Sequence, residues 1–312
     1  MTTVAVTGAA GFIGSHLCEA LLARGDRVVG IDCFDDFYDP AIKRANLANC
    51  TPHEDFRLIE ADIRDRDAMN AALADGVDAV VHLAARAGVR PSIEQPVLYT
   101  DVNVNGTVVM LEAARQAGIQ RFVFASSSSV YGNNPKVPFA ETDRVDDPIS
   151  PYAATKKAGE LLCHTYAHLF AMNITCLRFF TVYGPRQRPD LAIHKFARLM
   201  RAGQPIPVFG DGSTSRDYTY VADTVDGVLR ALDRCSRYHI YNLGESEPVT
   251  LSDLIAALET ALDKKAVIDR RPMQPGDVTR TFADTALARR ELGYNPGTGL
   301  ADGLQRFTAW LD

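Results

Sequence analysis

Short apolar runs alternate with helix-length segments through the first half of the chain, and this alternation constrains the fold more than any other feature. The runs carry few polar residues, as expected of strands that are buried on both faces. They cover residues 4–7, 27–32, 56–59, 79–82 and 122–125, and helical segments such as 13–24 and 104–117 lie between them. This order predicts an α/β fold, a doubly wound parallel sheet of the Rossmann type.

The pattern changes after about residue 180, where prolines and glycines cluster between helical segments. Helical patterns return at residues 193–201, 223–234, 251–262 and 285–292. We expect residues 1–180 to form the doubly wound domain. Residues 181–312 should form mainly a smaller C-terminal lobe that carries substrate loops, from which some segments can return to the first domain.

Composition narrows the classes of function. The formal net charge of -6 leaves no broad basic surface, so we expect no nucleic-acid partner. The six cysteines are scattered without a C-x-x-C pair, so we expect no metal site and a reduced, intracellular protein. Neither a bilayer-spanning apolar run nor a targeting signal is recognisable. We therefore expect a cytoplasmic location and no membrane association.

A glycine-rich turn joins the first strand-like run to the first helical segment. It reads Gly-Ala-Ala-Gly-Phe-Ile-Gly from Gly8 through Gly11 to Gly14. The first glycine permits the tight turn, the second lets a diphosphate approach the backbone, and the third lets the helix pack on the strand. The diphosphate would then meet the helix N-terminus. Three glycines could also form only a flexible loop, but the flanking strand and helix patterns favour a dinucleotide site.

An acidic residue ends the second strand-like run. Asp32 follows the glycine turn in the sequence. In dinucleotide-binding folds, a carboxylate about 20 residues after this turn accepts hydrogen bonds from the adenosine ribose. Its charge would repel a 2′-phosphate, so NAD is favoured over NADP. Asp62-Ile63 and Leu83-Ala84-Ala85 stand where later strand ends should border the cofactor, although close packing would explain the two alanines as well.

A tyrosine and a lysine stand four residues apart at the start of the helical segment 152–170. This spacing puts the phenol of Tyr152 and the ammonium group of Lys156 on one helix face. A nearby ammonium lowers the pKa of a phenol, which could then act as a general base. Alone, such a pair is often no more than a surface contact.

A run of serines gives the tyrosine and lysine a partner upstream. Ser126 to Ser129 follow the strand-like run 122–125, and hydroxyls at the carboxyl end of a parallel strand lie where such sheets bind ligands. A polar loop is the alternative. The glycine turn, the serine-tipped strand and the tyrosine–lysine pair occur together, which favours an active site.

With these motifs the chain resembles the extended short-chain dehydrogenase/reductases that act on nucleotide sugars, over essentially its whole length. The resemblance implies that Tyr152 is the catalytic base, that Lys156 lowers its pKa and binds the nicotinamide ribose, and that Ser127 hydrogen-bonds the reacting hydroxyl. It also implies that Arg216 grips the substrate diphosphate. The expected cofactor-binding residues are Gly8, Gly11, Phe12, Ile13, Gly14, Asp32, Lys43, Asp62, Ile63, Leu83, Ala84, Ala85, Ala125, Tyr152 and Lys156.

The residues after Ser127 bear on which sugar is used. Family members that dehydrate or decarboxylate carry acidic residues there, whereas this chain has Ser128 and Ser129, so oxidation followed by re-reduction is favoured. Other segments resemble the members that epimerise UDP-glucuronate to UDP-galacturonate. Ser128, Ser129 and Thr181 would then hold the sugar carboxylate. Lys43 would contact the adenine, and the UDP moiety would meet Arg90, Arg188 and Asp277, although each of these four could equally be a solvated surface charge.

Other interpretations remain open. The substrate could be UDP-glucose or UDP-galactose, or an N-acetylated hexosamine, and the reaction could be a net oxidation or decarboxylation. A catalytically silent NAD-binding regulator is the alternative from another class, but Ser127, Tyr152 and Lys156 are all present. The resemblance also implies a homodimer built on segments 104–117 and 161–170, which could instead only pack on the sheet.

Overall fold

Strands and helices alternate along the computed structural model, which describes residues 1–273 and 278–311. The strands are β1 (Thr3–Thr7), β2 (Arg27–Asp32), β3 (Phe56–Glu60), β4 (Ala79–His82), β5 (Arg121–Ser127), β6 (Asn173–Phe179), β7 (Thr181–Tyr183), β8 (Ile206–Phe209), β9 (Ser215–Tyr220), β10 (Tyr238–Leu243), β11 (Pro248–Thr250) and β12 (Ile268–Arg271). The helices are α1 (Phe12–Ala23), α2 (Pro40–Asn46), α3 (Arg66–Leu73), α4 (Val89–Glu94), α5 (Pro96–Thr100), α6 (Gly106–Gln116), α7 (Pro151–Phe170), α8 (Ala192–Arg201), α9 (Val221–Asp233), α10 (Leu251–Leu262), α11 (Ala286–Leu292) and α12 (Leu300–Leu311).

Seven parallel strands form the central sheet, in the order β10-β6-β5-β4-β1-β2-β3. The strand order reverses direction at β1, which lies between β2 and β4. Ligands of such sheets bind in the crevice at the carboxyl ends beside this switch point. The predicted α/β, Rossmann-type fold is confirmed.

Side chains of β1 show why the sheet must be covered on both faces. Val4 and Val6 belong to one buried cluster with residues of α1 and α9, while Ala5 belongs to another with residues of α3, α6 and α7. Alternate residues of a strand point to opposite faces. A strand with apolar residues at every position therefore needs a helical layer on each side.

The second half of the chain contributes to the central sheet as well as to smaller sheets. Strand β10 pairs in parallel with β6, and Asn242 lies opposite Arg178. Strand β9 joins β7 and β11 in a three-stranded sheet, and β8 pairs with β12. These smaller sheets carry the loops of the C-terminal lobe. No helix of the described ranges is long and apolar enough to cross a membrane.

The helix expected at residues 104–117 begins later, at Gly106, after a single π-helical turn over Asp101–Asn105. A β-carbon at Gly106 would lie 2.6 Å from Cδ1 of Ile63, so the helix approaches the loop after β3 too closely for a side chain. Single π turns often occur at functional sites. This one carries Asn103, which hydrogen-bonds to Arg86 after β4 and to Thr155 of α7.

Candidate active site

The glycine turn after β1 brings the N-terminus of α1 to the carboxyl edge of the sheet. Gly8 has a φ of +70°, a conformation that favours glycine. A β-carbon at Gly14 would lie 2.0 Å from the carbonyl oxygen of Gly8, so the helix meets the turn without room for a side chain. Gly11 is the N-cap and offers no capping side chain. The first amides of α1 therefore suit an anion.

Asp32 ends β2 beside this turn. Its Oδ2 accepts a hydrogen bond from the amide of Ala10 at 3.0 Å, and its Oδ1 accepts one from Phe34 at 2.8 Å. Burial raises the pKa of Asp32, while the hydrogen bond from Phe34 and the charge of Lys43 oppose that shift. Each carboxylate oxygen keeps a second lone pair for a ligand hydroxyl. The side chain is thus held in one orientation where a ribose would lie.

A single cleft of about 400 Å³ collects most of the residues that the sequence singled out. Those that line it are Gly8, Gly11, Phe12, Ile13, Gly14, Asp32, Lys43, Asp62, Ile63, Leu83, Ala84, Ala85, Ala125, Ser127, Tyr152, Lys156, Thr181 and Arg188. The glycine turn and its uncapped helix end suit a diphosphate, and Asp32 suits a ribose. The residues present therefore fit a dinucleotide.

Tyr152 stands at the start of α7, whose first turn is well anchored. Ser150 is the N-cap, and its hydroxyl accepts a hydrogen bond from the amide of Ala153 at 3.1 Å. The amide of Tyr152 donates to the hydroxyl of Ser92 at 3.1 Å. Burial raises the pKa of Tyr152, and a hydrogen bond with Ser127 and the charge of Arg188 partly offset this. The side chains of Ser127 and Tyr152 are therefore within hydrogen-bonding distance of each other.

Lys156 lies one turn after Tyr152 and is almost fully buried. Its Nζ donates a hydrogen bond to the carbonyl oxygen of Ala125 at 2.7 Å and lies 6.0 Å from the centre of the Tyr152 ring. Burial lowers the pKa of Lys156 to about 8. The charge of Arg188 also lowers the pKa of Tyr152, an effect that the sequence did not indicate.

The serines after Ser127 form a short 3₁₀ turn, Ser128–Tyr131. The hydroxyl of Ser127 accepts a hydrogen bond from the amide of Ser129 and donates one to its hydroxyl, each at 3.1 Å. Ser128 and Ser129 therefore lie directly beside Ser127, while Thr181 lines the cleft from the start of β7. Ser128 and Ser129 are not among the residues that line the cleft.

The other expected substrate residues are distributed more widely. Arg188 lines the cleft and forms a two-pronged pair with Asp190, at 3.0 and 2.7 Å. The Arg90 guanidinium packs 4.8 Å from the centre of the Phe209 ring, and Arg216 of β9 donates to the carbonyl of Ser215 at 2.9 Å. Both lie beyond the residues that line the cleft. Asp277 is outside the described residues.

A buried ion pair behind the active site was missed by the sequence reasoning. Glu160 and Arg178 are each 1% exposed and are joined by contacts of 2.8 and 2.9 Å. Ser126 donates a hydrogen bond to Glu160 at 2.6 Å. Glu160 lies four residues after Lys156, as Lys156 lies four after Tyr152. This spacing could have indicated that Glu160 shares their face of α7. The ion pair joins α7 to β6, and the hydrogen bond from Ser126 joins α7 to the end of β5.

A second buried chain of hydrogen bonds runs from Thr7, at the end of β1, to α7 through His82. Thr107 donates to the carbonyl of Asn103 at 2.6 Å, so its oxygen accepts from Nε2 of His82 at 3.2 Å. Nδ1 of His82 must then accept from Thr7 at 2.7 Å. Burial lowers the pKa of His82 to about 3, which keeps it neutral. Asn103 continues the chain to Thr155 at 3.0 Å.

Within 1–273 and 278–311, no group of three His, Cys, Asp or Glu side chains is placed to hold a metal ion.

Comparisons with known proteins agree with this geometry. Residues 4–244 match the model of the NAD dependent epimerase/dehydratase family. The chain belongs to this family. UDP-glucuronate 4-epimerase 4 of Arabidopsis thaliana is 45% identical over 99% of this chain and 75% of the plant protein. A probable UDP-glucuronate 4-epimerase of Rhizobium meliloti is 40% identical over 98% of this chain and 96% of its own.

A solved structure of the family superimposes closely. UDP-glucuronic acid 4-epimerase from Bacillus cereus, in complex with UDP-glucuronic acid and NAD, has a TM-score of 0.93 and 39% identity, with 99% of each chain covered. The likeness therefore extends over both the central sheet and the C-terminal lobe.

Proposed function

We propose that this protein is an NAD-dependent epimerase that interconverts UDP-glucuronate and UDP-galacturonate by oxidation at C4 and re-reduction on the opposite face. One observation carries the proposal: Ser127, Tyr152 and Lys156 line the same cleft as the glycine turn and Asp32. Similarity to UDP-glucuronate 4-epimerases over nearly the whole chain supports the choice of sugar.

In this proposal the N-terminal domain, residues 1–180, holds NAD. The glycine turn would hold the diphosphate, Asp32 would bind the adenosine ribose, and Lys43 would contact the adenine. The remaining cofactor-binding residues of the sequence prediction line the same cleft, which supports their assignment. When bound, NAD supplies the acceptor for the hydride of sugar C4 and its donor in the reverse direction. It is not consumed over a cycle.

The catalytic residues move one proton. The Tyr152 phenolate takes the proton of the sugar 4-hydroxyl, and Ser127 donates a hydrogen bond that orients the same oxygen. Lys156 holds the nicotinamide ribose and, with Arg188, favours the phenolate. The 4-keto sugar then turns its other face toward the nicotinamide. Tyr152 returns the proton, so the configuration at C4 is inverted.

The C-terminal lobe, residues 181–312, mainly binds the nucleotide sugar. Ser128, Ser129 and Thr181 hold the sugar carboxylate, and the UDP moiety is contacted by Arg90, Arg188, Arg216 and Asp277. A firm hold on the carboxylate matters because a 4-keto-glucuronate is a β-keto acid that loses CO2 readily. The absence of carboxylate side chains at Ser128 and Ser129 supports epimerisation over dehydration or decarboxylation.

Product analysis tests the proposal. The purified protein, with added NAD, is incubated separately with UDP-glucuronate, UDP-glucose and UDP-N-acetylglucosamine, and products are separated by chromatography. UDP-galacturonate should form from UDP-glucuronate. Turnover of only the neutral sugars, net accumulation of NADH, or formation of a UDP-pentose would each refute the assignment.

We also propose that the protein acts as a cytoplasmic homodimer through α6 and α7. The exposed side chains of Leu161, Leu169 and Phe170, at 57%, 62% and 41%, support an apolar contact along α7. Light scattering on wild type and on Leu161→Glu tests this: a dimer that becomes a monomer is the expected result. Localisation of a tagged protein tests the compartment.

A further inference from the structure

The loop that follows β2 borders the cofactor cleft and has a fixed shape. Asp35, Phe37 and Tyr38 line the cleft together with Asp32. The Asp35 carboxylate accepts a hydrogen bond from the amide of Phe37 at 2.9 Å. Asp39 caps α2 at 2.9 Å from the amide of Ala41. The loop therefore presents Phe37 in a defined position beside the cleft.

Two cations hold Asp35. Nζ of Lys43 donates to its carbonyl oxygen at 2.6 Å, and Nη2 of Arg86 donates to its carboxylate at 2.8 Å. Arg86 belongs to the loop after β4, and its own amide donates to Asn103 at 2.7 Å. The loop after β2 is thus tied to a neighbouring loop that is itself anchored on the helical layer.

Phe37 extends this connection to the C-terminal lobe. The centre of its ring lies 5.6 Å from the guanidinium carbon of Arg86 and 5.0 Å from that of Arg188. Both arginine side chains are only 15% exposed, and cation–π contacts strengthen when they are shielded from water. Arg188 also reaches the carbonyl of Ala87 at 3.4 Å. One aromatic ring therefore links three loops that border the cleft.

We propose that Phe37, held between Arg86 and Arg188, is a latch that retains the dinucleotide in the cleft throughout the catalytic cycle. This rests on the proposed function, since it requires NAD in the cleft. In this proposal the loops after β2, β4 and β7 separate before the dinucleotide leaves. Breaking the contacts of Phe37 with the two guanidiniums is the step that permits it.

The latch has a clear use in an epimerisation. The hydride taken from C4 must be returned to the same sugar before either partner leaves. Escape of the reduced cofactor between the two half-reactions would leave a 4-keto sugar without its reductant. A slow release of cofactor therefore protects each cycle from failure.

The rate of NAD release tests the latch without relying on epimerase activity. Protein loaded with NAD is mixed with excess alcohol dehydrogenase and ethanol, which convert released NAD to NADH, and absorbance records the rate. Phe37→Ala should release NAD about tenfold faster than wild type, from the loss of both ring contacts. Asp35→Asn, which removes the charge that holds Arg86, should also accelerate release.

Control variants separate the latch from a general disturbance of the loop. Asp36→Asn changes an exposed neighbour in the same loop and should release NAD at the wild-type rate. Phe37→Leu keeps an apolar side chain but removes the aromatic face. It is the variant to measure if circular dichroism shows that Phe37→Ala does not fold. Release at the wild-type rate from Phe37→Ala or Phe37→Leu would overturn the latch while the proposed function stands. If wild type binds no dinucleotide, both fail.

Discussion

Replacing Glu160 by glutamine should destabilise the protein far more than the loss of one surface ion pair. The substitution keeps the shape of the side chain and removes its charge. Arg178, 1% exposed, would then be a buried cation without its partner. Ser126 and Arg178 both donate hydrogen bonds to the Glu160 carboxylate. In the glutamine variant, the amide NH2 group would face one of these donors, and that hydrogen bond would be lost.

The size of the effect follows from burial. Removing one partner of a buried pair typically costs about 3–5 kcal/mol, because the remaining charge stays desolvated. That is a large part of a total stability of about 5–15 kcal/mol. The matched control is Asp146→Asn, which breaks the pair of Arg144 and Asp146 at 3.0 Å, with side chains 75% and 58% exposed. An exposed pair of this kind contributes about 1 kcal/mol or less.

Urea unfolding followed by circular dichroism gives both free energies under one set of conditions. Glu160→Gln should lower the free energy of unfolding by several kcal/mol, and Asp146→Asn should leave it within about 1 kcal/mol of wild type. Replacing both members of the buried pair, as Glu160→Leu with Arg178→Met, should recover part of the loss, because no charge is then left buried alone. Equal small losses for Glu160→Gln and Asp146→Asn would refute the reasoning.

Further predictions concern the cleft. Tyr152→Phe should lower kcat for UDP-glucuronate by about 10²-fold or more while leaving the affinity for NAD, measured by calorimetry, nearly unchanged; a similar kcat would remove Tyr152 as the base. Burial lowers the pKa of Lys156 from 10.5 to about 8. Between pH 8 and pH 10.5 the Lys156 side chain therefore binds more protons in the unfolded chain than in the folded protein. Its contribution to the free energy of unfolding then rises with pH. The free energy of unfolding of wild type relative to Lys156→Met should increase over that window by about 3 kcal/mol, and a flat difference would contradict this. Gly14→Ala should abolish NAD binding or folding, because the added β-carbon would lie 2.0 Å from the oxygen of Gly8. Gly297→Ala should do neither, because its added β-carbon would have open space around it. A Gly14→Ala protein that binds NAD normally would contradict this prediction.

Features that depend on local sequence could be predicted. A strand buried on both faces needs apolar residues throughout, a tight strand-to-helix turn needs glycine, and a helix places residues four apart on one face. The glycine turn, the position of Asp32 and the alignment of Tyr152 with Lys156 all follow from such rules. Parallel strands then bring the ends of β1, β2, β4 and β5 to one edge, which is why the predicted cofactor residues share one cleft.

Features that depend on distant parts of the chain could not be predicted. Nothing near Arg178 in the sequence shows that its partner is Glu160, because the pairing follows from the packing of α7 against β6. In the sequence, Phe37 is one of three aromatic residues in an acidic loop, and only the fold places two guanidiniums against its ring. The return of β10 to the central sheet is likewise a property of the whole topology.

The position of Arg188 connects this folding argument to the chemistry. Burial favours the neutral phenol of Tyr152, while Ser127 and Arg188 favour the phenolate. Lys156 is hydrogen-bonded to the carbonyl of Ala125, and Arg188 is paired with Asp190. Each cation is therefore held by a protein acceptor as well as being near the phenol. Burial has the largest effect of these, so the pKa of Tyr152 is raised above the ordinary value of a phenol.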